Sequence, residues 1–191
     1  KEETKFSPST PYAVSRASCD MHLMSFYKAY NFPVLFTRAA NVYGPGQQLY
    51  RIIPRTLLSC LTGEKMKLHG AGSSKRSFIH IKDVVEATLD LATNAKPGTT
   101  WHISTKKAIS IKELVESICK ITNVDFDSIV EISNERLGKD QTYLLNSDSI
   151  RRNHKWSESI NLEEGLSDTL SWVKENLISL KSLPWNYQHK E

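Results

Sequence analysis

The sequence predicts an α/β protein. Three observations carry this. A helical stretch with apolar residues at Cys19, Leu23, Phe26, Tyr27 and Tyr30 ends at "NFP" and runs straight into "PVLFTRAANVYG", a continuous apolar run of the kind a buried parallel strand presents. Ile111, Leu114, Val115, Ile118 and Cys119 fall on one face of an amphipathic helix. Leu162, Leu166, Leu170, Val173 and Leu177 repeat that pattern near the end of the chain.

Each further segment fits a mixed architecture. Thr10 and Pro11 are a helix cap and a first-turn proline, so a helix starts beside Tyr12 and puts Tyr12 and Arg16 one turn apart on one face. The first strand ends in the loop "NVYGPG", and because open α/β sheets collect ligands at the carboxyl ends of their strands, Asn41 stands where a binding residue belongs. "RIIPRTLLSCLTG" predicts a helix starting near Pro54 and closed by Gly63. "MKLHGAGSSKRSFIHI" predicts two short strands around a glycine-serine loop that carries Lys75 and Arg76. Asp83 is expected to cap the helix "VVEATLDLATN". "WHIS" and "IVEIS" are short strands, Ser110 caps the helix from Ile111, and Ser147 or Asp148 starts another.

With 191 residues, 39% hydrophobic and 24% charged, the chain is long enough to bury a core and has the composition of a soluble globular protein. Lys and Arg total 25 against 21 Asp and Glu, and a net +4 spread along the chain argues against a nucleic-acid partner. No run of about 18 to 20 apolar residues predicts a membrane span. The charged opening "KEETKFSPSTP" does not read as a signal peptide, and Cys19, Cys60 and Cys119, far apart and each in a helical pattern, read as reduced core residues rather than metal ligands. A cytoplasmic location without a metal site is the expectation.

In this order and spacing, "PYAVSRASCD", "RAANVYGPGQ", "RIIP", "GAGSSKRSFIHIKDVVEA" and "ERLGKDQTY" resemble the C-terminal part of the extended short-chain dehydrogenase/reductase family, in its nucleotide-sugar epimerase and dehydratase branch, with the dTDP-glucose 4,6-dehydratases nearest. The resemblance implies the C-terminal part of a Rossmann-type doubly wound sheet plus a smaller mixed α/β substrate-binding lobe. Residues 1–45 would be the remainder of the NAD-binding domain and 46–191 mainly the sugar-nucleotide lobe, with 77–105 returning to the sheet. The chain contains no G-x-x-G-x-x-G, so NAD would be bound mainly by a preceding half, and the chain alone is expected to be inactive.

In that family the tyrosine of Y-x-x-x-K is the acid/base, and the lysine lowers its pKa and bonds the nicotinamide ribose. Tyr12 matches the tyrosine, and Arg16 takes the place of the lysine, both as catalytic and as cofactor-binding residues. Arginine keeps the charge but is longer and planar, which alters the ribose contact. The resemblance assigns the nucleotide-diphosphate sugar to Asn41, Arg51, Ile52, Lys67, His69, Arg76, Ser110, Arg136 and Tyr143. Arg76 would grip the diphosphate in two-pronged fashion. His80, His102 and His154 are expected to be structural. A UDP-sugar 4-epimerase, a UDP-glucuronate decarboxylase and a non-catalytic sugar-nucleotide-binding remnant share these motifs. The family also places the helix of Tyr12 in a dimer interface, which makes a homodimer the expected assembly.

Overall fold

The structure, a computed structural model, describes residues 1–134 and 141–187. Helix α1 (Pro11–Tyr30) starts where the cap predicts: the Ala13 amide donates to Thr10 Oγ1 at 3.2 Å. It ends at Asn31, whose left-handed backbone lets its amide close on the Tyr27 carbonyl. Only Ala17 of its twenty residues is buried. The expected apolar face is therefore not a core face in this chain: Cys19, Leu23, Phe26 and Tyr30 are exposed, and Cys19 is not the core residue its spacing suggests. What fastens α1 is Tyr27 and Asp20. The Tyr27 ring lies over Gly98, where a Cβ would come within 2.2 Å of it, and Asp20 pairs with Arg38 at 2.8 Å.

The apolar run after α1 forms two strands, β1 (Phe36–Ala39) and β2 (Asn41–Tyr43). The chain changes partners between them. β1 runs parallel to β6 (Thr100–Ile103), and β2 runs parallel to β5 (Phe78–His80). The Ala40 amide donates to the Ile103 carbonyl at 2.9 Å, and the next amide, Asn41, donates to the Ser77 carbonyl at 3.1 Å. Helix α3 (Ile81–Asn94) links β5 to β6, and Ile79, Ala87, Leu91, Trp101 and Ile103 fill the space beneath these strands.

Helix α2 (Ile52–Thr62) ends at left-handed Gly63 as expected, and Pro54 is tolerated because it sits in the first turn. It packs against α4 (Ile111–Thr122) and α7 (Leu162–Glu175) through Ile53, Leu57, Leu58, Leu114, Ile118, Leu166 and Leu170. Strand β3 (Met66–His69) pairs in parallel with β8 (Val130–Ser133), which follows the short helix α5 (Phe126–Ile129); Met66, Leu68, Val115, Cys119 and Ile129 form the core behind them. Lys75 and Arg76 form a short strand, β4 (Lys75–Arg76), rather than the expected loop. It lies antiparallel to β7 (Ile109–Ser110) and parallel to β9 (Thr142–Tyr143). Two short helices, α6 (Asp148–Asn153) and α8 (Leu177–Lys181), complete the described fold.

Asp83 does not cap α3. That helix begins at Ile81 and its cap is His80, three residues before Asp83, with the His80 ring accepting from the Lys82 amide. Asp83 is fully buried inside the first turn and accepts from the Ser159 amide and hydroxyl, both at 2.8 Å, and from the Ile160 amide at 3.3 Å. It therefore organises the turn that leads into α7, and a buried carboxylate with three donors is well compensated.

Candidate active site

Four of the nine residues assigned to the sugar nucleotide, Asn41, Arg76, Ser110 and Tyr143, gather around one short sheet. Arg76 stands opposite Tyr143 on one side and Ile109 on the other, and its neighbour Lys75 stands opposite Ser110 and Thr142. Arg76 is half-buried; its Nη1 donates to the Lys75 carbonyl at 2.7 Å and to the Gln141 carbonyl at 3.3 Å, which ties β4 to the start of β9. Tyr143 is 43% exposed. Asn41 enters the same neighbourhood through Ser77, the residue after Arg76. Its Nδ2 and its own amide both donate to the Ser77 carbonyl, at 3.2 and 3.1 Å, so the side-chain oxygen is turned away from that bond.

Ser110 is occupied by capping. Its hydroxyl accepts from the Glu113 amide at 3.1 Å and donates to Glu113 Oε2 at 2.8 Å, while its amide donates to the same carboxylate oxygen at 2.7 Å. This reciprocal box closes the first turn of α4, and these hydrogen bonds hold the Glu113 carboxyl below its ordinary value. Arg51 is the residue before α2, exposed, with no side-chain capping bond; its guanidinium carbon lies 5.4 Å from the centre of the Tyr50 ring. Ile52, next to it, packs against the core. On β3, Lys67 points outward, and His69 Nδ1 lies 2.8 Å from Ser133 Oγ and 3.2 Å from the Asn134 carbonyl. Arg136 lies outside the described residues.

Tyr12 and Arg16 stand apart from this group, on α1. Both are exposed, Tyr12 at 75%, and among the described residues neither side chain has a hydrogen-bond or ion-pair partner. The phenol and the guanidinium lie one helical turn apart on one face of α1, so both are open to a ligand. No group of three or more His, Cys, Asp or Glu that could hold a metal ion occurs among the described residues. Among the described residues no helix is long and apolar enough to cross a membrane.

His80, His102 and His154 are built into the packing. His80 is buried with Nε2 3.3 Å from Asp168 Oδ2 and its ring edge-on to Tyr43, and burial pulls its pKa below the usual imidazole value despite that carboxylate. Burial lowers His102 in the same way. His154 pairs with Asp90 at 2.7 Å and packs edge-on to Trp101. Sequence reasoning passes over Tyr50, Ser77 and Ser133, which touch assigned residues. Ser77 lies within the motif that carries Arg76 and Ser133 ends the strand "IVEIS", but no spacing marks any of the three as a contact of an assigned residue.

Parallel strand pairs joined through helices place the chain in the Rossmann-like class of folds that dehydratases and epimerases share. Similarity to known proteins narrows this. Residues 1–169 match the family model described as GDP-mannose 4,6 dehydratase, and the chain belongs to that family. The dTDP-D-glucose 4,6-dehydratase of Homo sapiens is 33% identical over 188 residues, covering 95% of this chain and 53% of the relative. A crystal structure of dTDP-glucose 4,6-dehydratase from Bacillus anthracis in complex with NAD superposes with a TM-score of 0.86 at 30% identity, over 92% of this chain and 56% of that one. UDP-glucose 4-epimerase of Thermotoga maritima, solved with UDP-glucose, has a TM-score of 0.83 at 26% identity, over 93% and 60%. The chain spans about half the length, or less, of the curated relatives it matches.

Proposed function

We propose that this chain is the sugar-nucleotide-binding part of an NAD-dependent nucleotide-sugar 4,6-dehydratase acting on dTDP-glucose or a close analogue. The observation that carries the reading is the alignment of Arg76 with Tyr143 across β4 and β9, beside Asn41, in a chain that superposes on NAD-bound dTDP-glucose 4,6-dehydratase over 92% of its length.

In this reading Arg76 holds the diphosphate, and a guanidinium meets two phosphate oxygens at once. Asn41 offers its side-chain oxygen to the diphosphate or sugar. Arg51 and Ile52 meet the nucleotide at the start of α2, Lys67 and His69 bracket the base, and Ser110, Arg136 and Tyr143 border the ribose and close over it. Residues 1–45 complete the cofactor domain, residues 46–191 form mainly the substrate lobe, and residues 77–105 return to the sheet. NAD, held mainly by a preceding half of the protein, supplies the hydride acceptor and donor. Tyr12 takes the proton from the C4 hydroxyl. The Arg16 charge favours the phenolate this requires, since free tyrosine titrates near pH 10. Oxidation at C4, loss of water across C5 and C6, and reduction at C6 make up the net reaction. The exposed apolar residues of α1, among them Val14, Met21 and Phe26, support a homodimer, and a cytoplasmic enzyme is the fitting setting.

A 4-epimerase is the second reading, favoured by the epimerase superposition at a TM-score of 0.83. The full-length protein, incubated with NAD and either dTDP-glucose or UDP-glucose, separates them by mass spectrometry. Dehydration yields a product lighter by one water; epimerisation yields a product of unchanged mass with altered chromatographic retention. Recovery of unaltered substrate from both reactions would leave only a binding role.

A further inference from the structure

The residues that follow α8 turn back along α2 and meet its start at two points, one in its first turn and one just before it. Trp185 Nε1 donates to the Leu180 carbonyl at 2.8 Å, which folds the tail against the end of α8. Its indole ring then meets the Arg55 guanidinium at 5.1 Å, and Arg55 is itself held by Glu64 at 2.9 Å and by the Lys65 carbonyl at 3.1 Å. Two residues further on, Tyr187 sets its ring against Tyr50, with centres 5.3 Å apart and planes at 75°, the edge-to-face geometry that aromatic pairs favour. The Tyr50 ring also carries the Arg51 guanidinium, at 5.4 Å. Arg51 is thus bracketed: Arg55 lies one helical turn beyond it and Tyr50 just before it, and the tail touches both.

We propose that Tyr187 is a positioning residue for the nucleoside diphosphate. It fixes the Tyr50 ring, and the ring's face holds Arg51 at the start of α2. An exposed arginine on a four-bond stem samples many rotamers, and a stacked guanidinium has surrendered that freedom before the ligand arrives. Affinity for the diphosphate therefore depends on residues near the far end of the chain, about 135 positions away in sequence from the residue they orient. The inference rests on the assignment of Arg51 to the nucleotide, and the test keeps the two apart.

Affinity for thymidine diphosphate and for uridine diphosphate is measured by calorimetry on the full-length protein. Tyr187→Ala is expected to weaken binding about three- to tenfold, the range an aromatic contact supports. Its melting temperature should stay unchanged, because Tyr187 is 65% exposed. Tyr187→Phe keeps the ring and is expected to bind like the parent. Arg51→Ala should weaken binding too, and adding Tyr187→Ala to it should cost less than a further twofold, since there is then no guanidinium to orient. Unchanged affinity in Tyr187→Ala while Arg51→Ala binds weakly would overturn the positioning role and leave the Arg51 assignment standing. Fully additive losses would overturn it as well. Unchanged affinity in Arg51→Ala would remove the assignment of Arg51, and the proposal with it.

Discussion

Within this chain Tyr12 and Arg16 are exposed on one face of α1. On the proposed assignment, Tyr12→Phe in the full-length protein removes the proton acceptor and should lower kcat by about 10²- to 10⁴-fold, the usual contribution of a positioned acid/base, with the nucleotide-sugar KM little changed. Arg16→Lys keeps the charge and restores the compact ammonium that the resemblance places there. It is expected to raise kcat by about tenfold to a thousandfold, as a misplaced contact worth roughly 1.4 to 4 kcal/mol in the transition state would require. Steady-state kinetics on both variants decides this. His80 supplies a different measurement. It faces Asp168, Lys82 and Asp83, and burial outweighs the carboxylates, so the folded protein holds it neutral where the unfolded chain would protonate. A lowered histidine pKa means that the unfolded state binds the extra proton, so stability is full above about pH 6.5 and falls as the pH drops below it. Thermal melts from pH 7.5 to pH 5 should show that decline, and His80→Gln should lessen it, with His102, lowered in the same way, contributing the rest.

At the scale of elements, the structure separates what neighbours in sequence dictate from what only distant contacts decide. The start of α1 at Pro11, the Gly63 stop of α2 and the Ser110 cap of α4 were all legible, because capping is a local bargain between a side chain and amides two or three residues away. The two-residue strand at Lys75–Arg76 was not, since its identity depends on β7 and β9 lying alongside. Asp83 misled for the same reason: its spacing suits a cap, but its partners are 76 and 77 residues away. Ser110→Ala should lower stability by about 1 kcal/mol through loss of the capping box, measured by urea unfolding. Gly165 offers a contest between two effects. Alanine is the better helix former by up to about 1 kcal/mol, but its Cβ would sit 2.1 Å from Tyr43 Oη, and Tyr43 is buried in the core. Overpacking of about 1 to 3 kcal/mol should win, so Gly165→Ala is expected to lower the midpoint in urea.

Across the whole molecule, the apolar stripes of α4 and α7 foretold their packing, because each stripe has its counterpart within this chain. The stripe of α1 foretold a core position that the chain does not provide; a helical period reports that a face is apolar and not what it meets. Of the assigned substrate residues, Asn41, Arg76, Ser110 and Tyr143 come together because β4 and β5 lie end to end and draw in three other strands. Their individual geometry, such as the turn of Asn41 onto Ser77, follows from those pairings and has no local signature. The switch of partners within residues 36–43 has an experimental use of its own. Two successive peptide groups, Ala40 and Asn41, are stitched to different strands, so they form a built-in pair of clocks for hydrogen exchange. Should the β5 side open first, deuterium would reach Asn41 while Ala40 still kept its proton; should the strands part together, both amides would exchange in step.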